Sequence, residues 1–326
     1  MKTISAALAV LGLVLATVMV GYYGFGTVVR STVAVGGSGF ALVVGWQLSL
    51  FVVLGAAWDV IVPRQTSAPP WVFLWGRMVR DSAANCLPFS QMGGFVLGAR
   101  AVRLHGIRWP VAVASTIVDV TTEMFAQIAF AAIGLAILLV RAPHSSLVRP
   151  LAAVLVVALA AGLGFIWAQH RAGPAVSRLG RRMAQEWFAD AGKGIDAVHI
   201  ELGRIYGRPL RLALGSILHL LGWIGTGVAG WLAYRVLGAP IDLVSVLAVE
   251  ALLNATLAMA FLVPGAIGVQ EAGYALFGTI FGLPAELSLS VSLLRRARDL
   301  TIGVPVLLVW QMAEARRLRV GARTSS

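Results

Sequence analysis

The chain of 326 residues is 59% hydrophobic and 12% charged, with a mean hydropathy of +0.85. So few charges cannot cover a soluble surface of this size, which excludes a water-soluble globular protein. The formal charge of +12 and the single cysteine, Cys86, leave no intrachain disulfide and a strongly basic protein whose solvent is lipid.

Six apolar runs are long enough to cross a bilayer as helices, about 20 residues each. They are Ile4 to Val29, Phe40 to Val62, Pro110 to Val140, Leu151 to Trp167, Leu212 to Leu237 and Leu287 to Gln311. None alternates as an outer-membrane strand would. The first follows only Lys2 and lacks a small-residue cleavage site, so it reads as a retained helix. Two further apolar stretches are interrupted, one by Pro88 with Gly93, Gly94 and Gly98, the other by Pro264 with Gly265 and Gly268. Proline removes a helix donor and glycine favours a turn, so each stretch predicts two half-helices meeting at a break. Such backbone survives at membrane depth only where protein or a wet cavity satisfies it. Full crossing of both stretches would instead give eight spans or more.

The two halves of the chain resemble each other. Pro88 to Asp119 and Pro264 to Arg295 are both 31 positions apart, and a shift of 176 also lays Gly106 on Gly282, Thr116 on Ser292 and Glu123 on Asp299. A shift of 177 lays Gly45-Trp46 on Gly222-Trp223 and Pro63 on Pro240. Chance agreement of a few columns is the alternative to a true repeat. Placing the N-terminus in the cytoplasm leaves Arg30, Arg141, Arg149 and Arg235 outside and collects nearly all other basic residues inside, in 64–108, 170–211 and the tail from Arg316. The expected fold is an all-α polytopic membrane protein, a single integral domain over 1–326 with both termini cytoplasmic. It contains two inverted repeats, 1–140 and 147–315, each of about three transmembrane helices plus a broken re-entrant hairpin.

Most of the basic excess is this cytoplasmic bias, which argues against nucleic-acid binding. Within residues 181–208, Met183, Trp187, Ala191, Ile195, Val198, Leu202 and Ile205 recur at spacings of three and four. This predicts an amphipathic helix on the inner leaflet, with a solvated connector as the alternative.

Ionisable residues concentrate on two spans. Ser115, Asp119, Glu123 and Gln127 fall at intervals of four on one helix face, and Ser288, Ser292, Arg295 or Arg296, and Asp299 form a comparable stripe in the last span. Each charge at mid-span costs about 2.5 to 3.5 kcal/mol against lipid, so Asp119, Glu123, Arg295, Arg296, Arg298 and Asp299 must face each other or water. Asp119 occupies the repeat position of Arg295, which suggests that opposite charges pair across the repeat interface. A purely structural ion-pair network is the competing reading. Beside the breaks, Glu271 is a candidate for headgroup or proton binding, or for capping a half-helix. Asn85 and Arg80 are weaker candidates, and Arg80 also suits interfacial snorkelling.

The GxGxxG match at Gly225 to Gly230 lies inside an apolar helix without a preceding strand, so it carries no dinucleotide site. His105, His144, His170, His199 and His219 lack metal-ligand spacing. Neither a cofactor nor a metal is expected.

The run Val263-Pro264-Gly265-Ala266-Ile267-Gly268-Val269-Gln270-Glu271 and the later Leu294-Arg295-Arg296-Ala297-Arg298-Asp299 resemble the membrane region of lysylphosphatidylglycerol synthases and their stand-alone flippase-like relatives. Asn85, Pro88, Gly93-Gly94, Gly98-Ala99-Arg100 and Asp119 to Glu123 resemble the first repeat of that family. The wording of the second repeat is most similar to the hopanoid-biosynthesis-associated HpnL-type branch. The resemblance implies a bacterial inner-membrane protein that moves a polar-headed lipid between leaflets, with membrane lipids (hopanoid, phospholipid or a related polar lipid) and possible hopanoid-biosynthesis proteins as partners. It implies no aminoacyl transfer, because the chain ends shortly after its last span. Phe95 stands where relatives carry an acid equivalent to Glu271, which removes the basis for a symmetric two-acid mechanism. An intramembrane lipid-modifying enzyme using Asp119, Glu123 or Glu271 as general base, and a non-transporting scaffold, are the rival readings; no catalytic motif marks the chain as an enzyme.

Overall fold

The computed structural model describes residues 25–63, 68–87, 90–171, 191–259, 266 and 268–323. Among these residues the chain is all α-helical. The helices are α1 (Phe25–Ile61), α2 (Trp71–Cys86), α3 (Ser90–Leu104), α4 (Trp109–Arg141), α5 (Val148–Arg171), α6 (Ala191–Tyr206), α7 (Pro209–Val236), α8 (Leu243–Met259), α9 (Val269–Ile280) and α10 (Ala285–Arg323).

Among the described residues, four segments are long and apolar enough to cross a membrane: Val35–Ile61, Trp109–Arg141, Val148–Trp167 and Pro209–Val236. They coincide with four of the six expected spans, and the chain is a multi-pass membrane protein. The expected span Leu287 to Gln311 lies inside α10, where Arg295, Arg296, Arg298 and Asp299 lower its apolarity. Of the expected first span, residues before Phe25 lie outside the described residues. Proline sets two helix starts, Pro110 in the first turn of α4 and Pro209 at the start of α7, where no intrahelical donor is needed.

The interrupted stretches form two helical hairpins, α2 with α3 and α8 with α9. Their helices have 16, 15, 17 and 12 residues. At 1.5 Å per residue each is about 18 to 26 Å long, shorter than a hydrocarbon core of about 30 Å. Helix α2 stops because Leu87 precedes Pro88 and takes extended backbone, φ −112° and ψ 144°. Gly93, Gly94 and Gly98 do not break the helix, contrary to the sequence expectation. They lie inside α3, and a Cβ on Gly94 would stand 2.7 Å from the carbonyl oxygen of Arg80, one on Gly98 2.9 Å from the Arg80 Cβ. Their smallness lets α3 touch α2. The turn before α9 does need glycine, since Gly268 has φ +79°.

α2 and α3 lie against each other, α10 packs on α2 and α9, and α4 packs on α7 and α8. Trp58, Phe73, Val102 and Val111 anchor an apolar cluster in the first half, while Tyr234, Leu253, Tyr274 and Leu294 anchor one in the second. The outer surface is apolar as well: in α5, Val156, Val157, Leu163, Phe165 and Trp167 are exposed, and only 6% of the apolar span is buried. Exposed hydrocarbon around a charged interior is the pattern required by a lipid solvent.

The amphipathic stretch is helical over α6, and residues 181–190 of it lie outside the described residues. Val198, Leu202 and Ile205 turn inward, against the cluster of Trp58, Val62, Ile107 and Val111. Ile205 is buried there, and Val198 and Leu202 are half-buried, so these positions of the stripe pack on the bundle. At the opposite junction Asp242 caps α8, accepting from the Ser245 hydroxyl at 2.7 Å and the Ser245 amide at 3.1 Å. The Ser245 hydrogen bonds hold its carboxyl below the usual aspartate range, and Arg141 lies 3.5 Å away.

Candidate functional site

Two buried ion-pair clusters meet between the hairpins. In the first, two arginine side chains of α2 reach across to α4, where the interval of four that separates Asp119 from Glu123 turns both acids toward them. Arg80 Nη1 donates to Asp119 Oδ2 across 2.5 Å, and Arg80 Nη2 donates to Glu123 Oε2. Arg77 grips Glu123 bidentately, Nη1 to Oε2 at 2.9 Å and Nη2 to Oε1 at 2.5 Å, while its Nε donates to Asp81 Oδ2 at 2.9 Å. Asp119 is fully buried and also lies 2.9 Å from His219 Nε2 on α7. Ser115, one turn earlier on the same stripe, receives the Trp58 indole N–H at 3.2 Å. Gln127, at its other end, donates to the Asn254 carbonyl at 3.1 Å and so ties the first cluster to the second half.

The second cluster joins α8, α9 and α10. Arg295 Nη1 donates to Glu250 Oε2 at 3.0 Å and to the Tyr274 hydroxyl at 3.3 Å, and Nη2 reaches Asn254 Oδ1 at 3.4 Å. Tyr274 in turn donates to Glu250 Oε1 at 2.5 Å. Glu250 fits only because α7 has a glycine opposite, for a Cβ at Gly230 would collide with its carboxylate. Glu271 serves two purposes: Oε2 accepts the Gly268 amide at 2.8 Å, closing the α9 N-terminus, and Oε1 lies 3.4 Å from Arg296 Nε and 3.3 Å from the Ser292 hydroxyl. Arg298 pairs with its neighbour Asp299 at 2.8 Å.

The suggested pairing of Asp119 with Arg295 is not formed. Each residue is neutralised by a hairpin helix of its own half, Asp119 by α2 and Arg295 by α8, with the signs reversed between halves. Nor does Arg80 snorkel: it is 5% exposed and holds both acids of α4.

A cavity of about 480 Å³ lies between the clusters. Of the candidate residues, Asn85, Glu123, Arg295, Arg296, Arg298 and Asp299 line it. Asp119, Gly268 and Glu271 stand behind or beside this lining, Gly93 and Gly94 lie on α3, and Pro88, Pro264 and Gly265 are outside the described residues. Sequence reasoning passed over Arg77, Asp81, Glu250, Asn254 and Tyr274, set His219 aside as a metal ligand, and met Gln270 only within the run 263–271. Glu250 could have been found, because a carboxylate inside the apolar run Leu243–Met259 demands a partner. Arg77 and Asp81 carried a weaker signal, their spacing of four on a short helix. Among the described residues no group of His, Cys, Asp and Glu has a metal-holding arrangement.

Neither a curated protein nor a solved structure matches the chain significantly. A protein-family profile, that of the lysylphosphatidylglycerol synthase TM region, matches residues 4–306. Because that match spans nearly the whole sequence, the chain belongs to the lysylphosphatidylglycerol synthase TM region family, and is a membrane protein of a lipid-handling family.

Proposed function

We propose that this protein translocates a polar-headed lipid between the leaflets of the bacterial inner membrane, or assists such transport, in the manner of a flippase. The observation that carries this reading is the cavity of about 480 Å³ lined in part by charged groups from both halves. That volume suits a small polar molecule, while the apolar exterior keeps acyl or terpenoid tails in lipid. In this reading α2–α3 and α8–α9 are re-entrant hairpins of two inverted repeats, with both termini cytoplasmic. Their motion against the long spans alternates access to the cavity. The sub-unity lengths of the hairpin helices relative to a bilayer, and the ion-pair cluster that each half closes around its own hairpin, support it. The cargo is a hopanoid or another polar lipid handled with hopanoids, as in the HpnL-type branch that the second-repeat motif resembles.

The test is leaflet-resolved lipid transfer in proteoliposomes, with chemical analysis of the lipid afterwards. Transfer of unaltered lipid supports translocation. A chemically altered lipid would instead assign an intramembrane enzyme, and absence of both transfer and alteration would leave a scaffold.

A further inference from the structure

The donors and acceptors around the cavity are unequally used. Arg77 commits all three of its guanidinium nitrogens to Asp81 and Glu123, Arg80 commits both Nη atoms to Asp119 and Glu123, and Arg295 commits both Nη atoms to Glu250, Tyr274 and Asn254. Both oxygens of Glu123 are likewise taken. Asp81 differs. Among the described residues its carboxylate is hydrogen-bonded by Arg77 alone, through Oδ2, and its side chain is the most exposed of the three acids in this cluster, 20% against 14% for Glu123 and 0% for Asp119. One turn farther along α2, Asn85 also lines the cavity, is exposed, and makes no side-chain hydrogen bond among the described residues.

The spacing of four places Asp81 and Asn85 on one helix face, so a group seated there meets an anionic acceptor and an amide together.

We infer that Asp81 and Asn85 form a specificity subsite for headgroups that donate hydrogen bonds, whether through an ammonium or through hydroxyls. This rests on the translocation reading and names the headgroup chemistry it selects. Phosphatidylethanolamine and phosphatidylcholine carry the same net charge, yet only the first has N–H donors; phosphatidylglycerol supplies hydroxyls instead. A committed carboxylate bond to a donor separates the first pair by about tenfold.

The experiment uses the full chain in proteoliposomes with acyl-chain-labelled phosphatidylethanolamine, phosphatidylglycerol and phosphatidylcholine. Transfer of one or both donor-bearing lipids about tenfold faster than phosphatidylcholine is expected, and which of them is preferred distinguishes ammonium from hydroxyl. Asp81→Asn and Asn85→Ala should each bring the preferred lipid's rate ratio to phosphatidylcholine toward one. Asn85→Ala disturbs no described hydrogen bond and therefore decides the matter if Asp81→Asn, which weakens the hold on Arg77, does not fold. Equal wild-type rates for all three lipids, or a ratio unchanged in Asn85→Ala, would overturn the subsite. If no lipid moves, the translocation reading fails by itself, and binding of short-chain phosphatidylethanolamine, phosphatidylglycerol and phosphatidylcholine to the solubilised protein decides the subsite. Equal affinity for all three overturns it, and about tenfold preference for a donor-bearing lipid over phosphatidylcholine, lost in Asn85→Ala, upholds it.

Discussion

Arg80 reaches from α2 to α4 and donates to Asp119 across 2.5 Å, in the half of the chain where the corresponding pair on the other side, Arg295 and Glu250, is reversed in sign. Each half thus neutralises its own charged span. Sign reversal at equivalent positions needs no contact between halves when each hairpin carries the matching counter-charge.

Removing one partner of a buried pair strands the other, whereas removing both leaves no uncompensated charge. Arg295→Met should therefore destabilise the protein by about 3 to 5 kcal/mol, and adding Glu250→Gln should restore part of the loss. Thermal unfolding of detergent-solubilised single and double variants checks this. The double reversal Asp119→Arg with Arg295→Asp should show no such recovery, because those residues have different partners.

The glycines of α3 separate close packing from chain breaking. Gly94→Ala pushes a Cβ against the Arg80 backbone and should cost about 1 to 3 kcal/mol. Gly93, one residue away, has no neighbour within 4 Å of an added Cβ, so Gly93→Ala should raise stability by up to about 1 kcal/mol through helix propensity. Equal melting temperatures for the two variants would contradict this account of the hairpin.

At Glu271 the cap and the charge can be told apart. Glu271→Gln keeps an oxygen able to accept the Gly268 amide but loses the attraction to Arg296. Unfolding should change by about 1 kcal/mol or less, while lipid transfer falls severalfold if the charge acts in translocation. Wild-type transfer by this variant would confine Glu271 to closing the turn.

Inverted topology has its own measurement. In a background lacking the buried Cys86, cysteines at Arg103 and Val244, both exposed, should label from opposite sides of the membrane, Arg103 from the cytoplasm. Labelling of both from one side would refute two inverted repeats.

Much of this protein was legible from residue type alone. Apolar runs of about 20 residues have one physical outcome in lipid, a helix that satisfies its own backbone, and so Phe40 to Val62, Pro110 to Val140, Leu151 to Trp167 and Leu212 to Leu237 were readable as spans. The interval of four from Ser115 to Gln127 likewise marked an inward face. What the linear pattern could not hold was the identity of the partners. Asp119 could have met Arg295 or Arg80 on charge alone, and the choice of Arg80 depends on where α2 is held, which its close contact with Gly94 and Gly98 of α3 helps to set. Glu250 finds Arg295 only where Gly230 leaves room for it. The solvent and the helices follow from composition and periodicity, which are local; the ion pairs and the cavity between them follow from steric fit between distant helices, which only the assembled bundle determines.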